Sequence, residues 1–198
     1  MNVLVLAEYH RIRYQPVADK LQLPWYMIAA IHYRESNYDF TKHLHNGDPL
    51  TAKTVHVPAG RPAGTPPFTW YQSALDALRY VTPPKNEKQL LSELEKYNGL
   101  GYAHRNMNSP YIWAGTDQYI KGKYTSDGKF DENAVDKQLG CVFFLKLKDK
   151  VYFSPKQGDV NYSIVYVQLY LNQNFGTDLK VDGICGPKTM EVYKLFVL

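Results

Sequence analysis

Cysteine is scarce in this chain: 2 of 198 residues, Cys141 and Cys185. Two cysteines do not build the disulfide framework that staples small secreted domains, and their spacing fits no metal-binding motif. Long apolar runs are also missing. No segment approaches the roughly 20 apolar residues that a membrane span needs, so stable membrane insertion is not expected. The short run Val3 to Ala7 has no basic stretch before it and no small-residue stop after it, so no export signal is evident. Dense basic runs are absent too, the closest being Lys146, Lys148 and Lys150, which argues against a nucleic-acid partner.

What is present describes a chain that folds. Hydrophobic residues make up 44% and charged residues 21%, close to globular averages, which excludes disorder and fibrous repeats. The net charge of +4 favours anionic surfaces, which wall polymers, membranes and nucleic acids all present. Tyrosine is abundant, 17 residues against 8 phenylalanines, and its apolar face and polar tip suit wet interfaces and sugar clefts. The length admits one substantial core and a smaller second unit.

Along the chain, Pro24 marks a helix start and Trp25 to Arg34 reads as a buried helix that delivers Glu35 into the turn-forming Ser36-Asn37-Tyr38-Asp39. The turn Asn46-Gly47-Asp48 between β-compatible runs predicts a small hairpin, with Thr54 on its returning strand. Pro58 to Phe68 holds Pro58, Pro62, Pro66 and Pro67 and must be a surface loop, read as a cleft wall or lid. Further helices are expected over Trp70–Tyr80, Glu87–Tyr97 and Glu132–Leu147, the last capped near Asp131. The stretch Ser154 to Asp159 reads as a linker, followed by helices at Ile164–Leu171 and Lys188–Phe196. The expected fold class is mainly α, in two parts: an α+β domain over 1–152 with one small hairpin, and a small three-helix bundle over 153–198.

Glycoside cleavage needs an acid that protonates the leaving oxygen, and a carboxyl does so near neutral pH only where an apolar setting raises its pKa. Glu35, at the end of an apolar helix and at the edge of an irregular segment, fits that demand. Asp48 at the hairpin tip is the candidate second carboxylate, and Thr54 could hold the same water; an inverting pair stands about 6.5–9.5 Å apart. A glutamate at a helix end is nevertheless ordinarily solvated or capping, and Asn-Gly-Asp is ordinary turn chemistry, so these residues alone leave both readings open.

The stretch Ile31-His32-Tyr33-Arg34-Glu35-Ser36-Asn37-Tyr38 resembles the catalytic helix end of the lysozyme superfamily, which includes goose-type lysozymes, lytic transglycosylases and phage endolysins. That resemblance implies a lysozyme-like fold with Glu35 as general acid. Tyr97-Asn98-Gly99-Leu100-Gly101-Tyr102 resembles the Tyr-Asn-Gly segment of the transglycosylase-like members, which implies that Tyr97 lines the cleft floor beside Glu35, with Asn98 and Tyr102 near the substrate. Ser109 to Thr116, Gly122-Lys123-Tyr124 and Asp127-Gly128-Lys129-Phe130 are similar to phage and prophage lysins. Tyr111 and Trp113 would then stack on sugars, their alternative being core aromatics under a loop.

In the C-terminal part, Val167 to Asn172 followed by Leu179 to Thr189 resembles a peptidoglycan-binding three-helix module. Its turn residues are Asp182, Gly183, Gly186, Pro187 and Thr189: the glycines allow a tight turn and Pro187 presets the last helix. Cys185 is expected to be buried rather than reactive.

The resemblance implies a muramidase that hydrolyses the MurNAc–GlcNAc β-1,4 bond, a monomer acting on bacterial peptidoglycan without cofactor or metal. As a phage endolysin with lytic, antimicrobial action it would accumulate in the host cytoplasm and reach the wall through a holin. A lytic transglycosylase on the same bond is the nearest alternative, and Asp48 weighs towards hydrolysis. A zinc peptidase is suggested only by His43, His45 and His56, without the helical His-Glu-x-x-His motif. A non-catalytic wall-binding protein is the remaining alternative.

Overall fold

The computed structural model describes residues 2–126, 128–150 and 155–197. Two helices, α1 (Val3–Tyr9) and α2 (Arg11–Leu21), lead into α3 (Trp25–Ser36). From Met27 to Ile31 every residue of α3 is fully buried. A helix apolar on all sides must be surrounded, and α1, α2 and the 3₁₀ helix Cys141–Leu147 pack around it. Between α2 and α3, His32 is wholly buried, and burial drives its pKa down to about 3 despite the Asp39 carbonyl at its Nε2. It is therefore neutral, donates from Nε2 to that carbonyl, and accepts at Nδ1 from the Tyr14 hydroxyl at 3.0 Å.

α3 begins after Pro24 and runs through Glu35 to Ser36, two residues beyond the expected end at Arg34. It stops because Asn37 (φ 53°) and Tyr38 (φ 65°) both turn left-handed, and the Asn37 amide closes back on the last helical carbonyls. That break turns the chain away and leaves the Glu35 turn at a surface.

α4 (Trp70–Leu78) starts from a capping box in which Thr69 and Gln72 satisfy each other's backbone amides. α5 (Glu87–Asn98) starts on Asn86 and ends at Gly99, and α6 (Pro110–Trp113) starts on Ser109. Both expected helices in this region thus form, with ends shifted by one or two residues.

Two elements differ from expectation. The hairpin around Gly47 does not form: among the described residues that stretch shows one isolated bridge, Lys42 to Pro49, and otherwise turns and loop. Asp48 binds the amides of Val55 and His56, and the Asn46 side chain donates to the His56 carbonyl, so side chains close this loop where a strand ladder would use backbone. Thr54 accordingly lies in a loop. The antiparallel pair lies elsewhere, β1 (Lys123–Ser126) with β2 (Lys129–Asp131), placing Lys123 opposite Asp131 and Tyr124 opposite Phe130.

The helix expected over Glu132–Leu147 forms only in its second half, as the 3₁₀ helix Cys141–Leu147. Asp131 does accept from the amides of Asn133 and Ala134, but no helix follows. At Gly140 the backbone presses against the Ile112 carbonyl so closely that a Cβ would overlap it, and an extended residue there lets the chain cross α6. Beyond it, Cys141, Phe144 and Leu147 face the core at every third position, the repeat of a 3₁₀ turn.

The C-terminal region contains α7 (Tyr162–Phe175) and α8 (Pro187–Val197). The expected domain boundary at 152/153 and Ser154 of the expected linker lie outside the described residues. Among the described residues this region supplies two helices rather than three. The remaining wall of its core comes from α2: Ile12 is buried with Val167, Tyr170, Leu171, Leu179, Tyr193 and Val197. Around Ile12, His10 hydrogen-bonds the Tyr170 hydroxyl at 3.0 Å, and the Arg13 guanidinium lies 3.8 Å from the Phe40 ring centre and 5.3 Å from that of Phe175.

Gln168, 1% exposed, organises the turn before α8: its Oε1 accepts from the amides of Asp182 and Gly183, and its Nε2 reaches Asp182, the Ile184 carbonyl and Thr189. Gly183 (φ 74°) stands 3.0 Å, at its Cβ position, from the Asn161 carbonyl, so a side chain there is both strained and crowded. Cys185 is fully buried, as expected. Among the described residues no helix is long and apolar enough to cross a membrane.

A polar groove around Glu35

The end of α3 opens into a groove of about 610 Å³. α3 gives it Arg34 and Glu35; the end of α5 and the turn beyond give Asn98, Gly99, Gly101 and Tyr102; α6 gives Pro110 and Tyr111. The β-hairpin contributes Lys123, Tyr124, Ser126 and Gly128, and the irregular stretch before the 3₁₀ helix contributes Asp136 and Gln138.

Glu35 keeps part of its surface open to this groove while its carboxyl is largely desolvated. Burial raises its pKa to about 7, against a hydrogen bond from Tyr111 and the charge of Arg34, which both pull it down. The Tyr111 hydroxyl donates to Oε1 at 3.0 Å. Burial and the neighbouring carboxylate keep that hydroxyl protonated far above neutral pH, so it acts only as a donor. A carboxyl with a midpoint near 7 is half protonated at neutral pH and can hand its proton to a leaving oxygen.

The groove also holds a second carboxylate, Asp136, in a buried ion pair. Arg34 Nη2 meets Asp136 Oδ2 at 2.7 Å with both side chains under 10% exposed, and Lys123 Nζ stands 3.6 Å from the same oxygen. Burial pushes Asp136 up, but the Arg34 hydrogen bond and charge, the Gln138 amide and Lys123 together hold it below the usual carboxylate range. Arg34 Nη1 adds bonds to the carbonyls of Gln138 and Leu139. The partners sit 102 positions apart, inside a stretch the periodicity assigns to a helix, so no local signal exposes them.

The hairpin docks on the turn after α5. The Tyr124 amide donates to the Tyr102 hydroxyl at 3.0 Å, and the ring of Tyr124 sits 3.1 Å from the Cβ position of Gly101, which leaves no room for a side chain there. Arg105 ties the outside, donating from Nε to the Tyr124 hydroxyl and lying 4.3 Å from the centre of the Phe130 ring. Asp127 lies outside the described residues.

The sequence candidates are therefore divided. Glu35, Asn98, Tyr102 and Tyr111 meet in the groove. Tyr111 does so as a buried hydrogen-bond donor, 4% exposed, rather than as a platform for a sugar. Trp113 packs half-buried against the main core and does not line the groove. Tyr97 is not among the groove-lining residues, its hydroxyl donating to the Leu44 carbonyl at 2.7 Å, but it lies near enough to Glu35 for that carboxylate, after burial, to raise its pKa.

Asp48 lies outside the groove lining. Its Oδ2 accepts from the amides of Val55 and His56, and its Oδ1 meets His56 Nδ1 at 2.6 Å. Partial burial pushes its pKa up, but the backbone and imidazole bonds of His56 and the Val55 amide outweigh that and hold it at about 2. Thr54 is buried as well, donating to the Pro58 carbonyl and accepting from the Arg61 amide. Both residues anchor the loop between Leu44 and Pro62.

The expected lid, Pro58–Phe68, faces a separate cavity of about 420 Å³ lined by Pro62, Gly64, Phe68, Leu75, Asp76 and Arg79, among others. In this region His43 bonds Ser73 and the Ala52 carbonyl, His45 bonds Asp76 and the same Ser73 hydroxyl, and His56 bonds Asp48. Among the described residues no three His, Cys, Asp or Glu side chains converge in a metal-binding arrangement. No family model, curated protein or solved structure matches the chain.

Proposed function

We propose that this chain cuts the glycan strands of bacterial peptidoglycan at the MurNAc–GlcNAc β-1,4 bond, with Glu35 as general acid. One observation carries the reading: a carboxyl whose proton is held to near neutral pH stands in an open polar groove, oriented by the Tyr111 hydroxyl. In this reading Asn98 and Tyr102 on the groove wall bind the sugar, and the C-terminal region, through the turn from Asp182 to Thr189, holds the wall polymer. The protein acts as a monomer without cofactor, released from the host cytoplasm in the manner of a phage lysin.

The fate of the cut sugar divides two forms of the reading. Hydrolysis by inversion needs a second carboxylate to activate water. Lytic transglycosylation needs none, because a hydroxyl of the sugar itself closes the 1,6-anhydro ring. The engagement of Asp48 with the 55–56 amides and His56, and of Asp136 with Arg34, favours the second form.

Digestion of purified sacculi followed by mass spectrometry of the released muropeptides tests both. Glycan cleavage by the parent protein and none by Glu35→Gln is the expected result, with anhydro products separating transglycosylation from hydrolysis. Release at the parent rate by Glu35→Gln, or cuts confined to peptide bonds, overturns the proposal.

A further inference from the structure

The groove carries two cations, Arg34 and Lys123, against one carboxylate that stays ionised, Asp136, once Glu35 is in its acid form. The two cations are not equivalent. Arg34 is 7% exposed, contacts Asp136 at 2.7 Å and donates to two backbone carbonyls, so it is fixed. Lys123 reaches Asp136 only at 3.6 Å and keeps 31% of its side chain exposed. Its cross-strand neighbour Asp131 is turned to the amides of Asn133 and Ala134. Among the described residues lining the groove, Lys123 is thus the cation with charge to give to a ligand.

Its position is built rather than incidental. β1 is held by the Tyr124 amide on the Tyr102 hydroxyl and by the ring of Tyr124 against Gly101, so the residue before Tyr124 is fixed at the groove wall on a strand, not on a mobile loop. An ammonium on a flexible stem, beside a carboxylate already neutralised by an arginine, follows a mobile acidic group as a point charge, without the fixed two-point geometry that an arginine imposes.

We propose that Lys123 binds a carboxylate of the peptide borne by the glycan strand, and so selects strands whose peptides carry free acids. This rests on the glycan-cleavage reading of the Glu35 groove. Lys123 acts in substrate binding, takes no part in proton transfer, and leaves the chemical step to Glu35.

The test uses soluble uncross-linked peptidoglycan strands, either native or with their carboxyls converted to carboxamides by carbodiimide and ammonia. With the parent protein, amidation raises KM about fivefold, the order of a partly exposed ion pair, and leaves kcat unchanged. Lys123→Gln shows the same rise on native strands and no further rise on amidated ones, while Lys123→Arg stays near the parent. Lys123→Met, which retains the aliphatic stem, repeats the measurement if the glutamine perturbs the strand. A parent KM indifferent to amidation overturns the inference, as does a Lys123→Gln defect of equal size on both substrates. A parent that cleaves neither substrate overturns the glycan-cleavage reading and this one with it.

Discussion

Tyr111 donates a 3.0 Å hydrogen bond to Glu35 across 76 positions of sequence, and this contact joins α6 to the last turn of α3. The hydroxyl favours the ionised carboxylate, while burial favours the acid. Burial wins, which is why the midpoint stands at about 7 rather than in the ordinary carboxylate range.

Tyr111→Phe keeps the ring in the core and removes one bond to the carboxylate. The Glu35 midpoint then rises, and the alkaline limb of kcat/KM on peptidoglycan moves to higher pH by up to about one unit. A pH–rate profile checks this, and a limb that does not move rules out the coupling.

Glu35→Gln removes the transferable proton while conserving shape. Cleavage should fall by about 10²–10⁴-fold, the usual contribution of a general acid. Turbidity loss of sacculi measures the rate, and an unchanged circular dichroism spectrum shows that the fold is retained.

The same variant has a pH-dependent effect on stability. Because the folded-state pKa of Glu35 is raised, the parent is favoured by holding this proton below the ordinary value of 4.5 and loses that advantage as pH rises through about 7. The melting temperature of Glu35→Gln relative to the parent should therefore climb between those limits and level off above them. A difference independent of pH excludes a raised midpoint.

Asp48→Asn tests a loop anchor. Asp48 has a depressed pKa of about 2, so its contribution to stability is present above the ordinary value of 3.8 and is lost as pH falls through about 2. At neutral pH the variant should lose about 1–2 kcal/mol by thermal or urea unfolding. Proteolysis within 55–67 should quicken, and cleavage of peptidoglycan should fall less than tenfold. A loss as deep as that of Glu35→Gln would instead make Asp48 a catalytic group.

Gln168→Leu leaves the amides of Asp182 and of the buried Gly183 without their acceptor. The cost should be about 2–4 kcal/mol at the C-terminal region, seen as an earlier unfolding transition and weaker pelleting with sacculi. Stability equal to the parent would show that the turn holds without Gln168.

How much of this was legible depended on whether the signal was local. α3 was readable because seven consecutive apolar residues, Trp25 to Ile31, follow Pro24, and the placement of Glu35 at its end followed directly. The Gly47 turn forms, with φ 78°, but the hairpin read from it does not, because Asp48 and Asn46 supply side-chain acceptors and donors that compete with a ladder. The helix ending at Leu147 failed at Gly140, where the close approach to Ile112 is a tertiary fact. The site was half visible. Glu35 carries a helix-end signature, whereas Arg34–Asp136 and Tyr111–Glu35 pair residues that only the fold brings together.

Ile12 belongs to α2 by sequence and to the C-terminal core by packing. A transplant of residues 155–197 onto another protein therefore leaves that core without one wall, and deletion of the same residues leaves Ile12 and the flank of Arg13 uncovered on α2. Any recombination of this chain with another must carry the α1–α2 corner along with α7 and α8, so the natural unit of exchange here is a pair of segments from opposite ends of the chain.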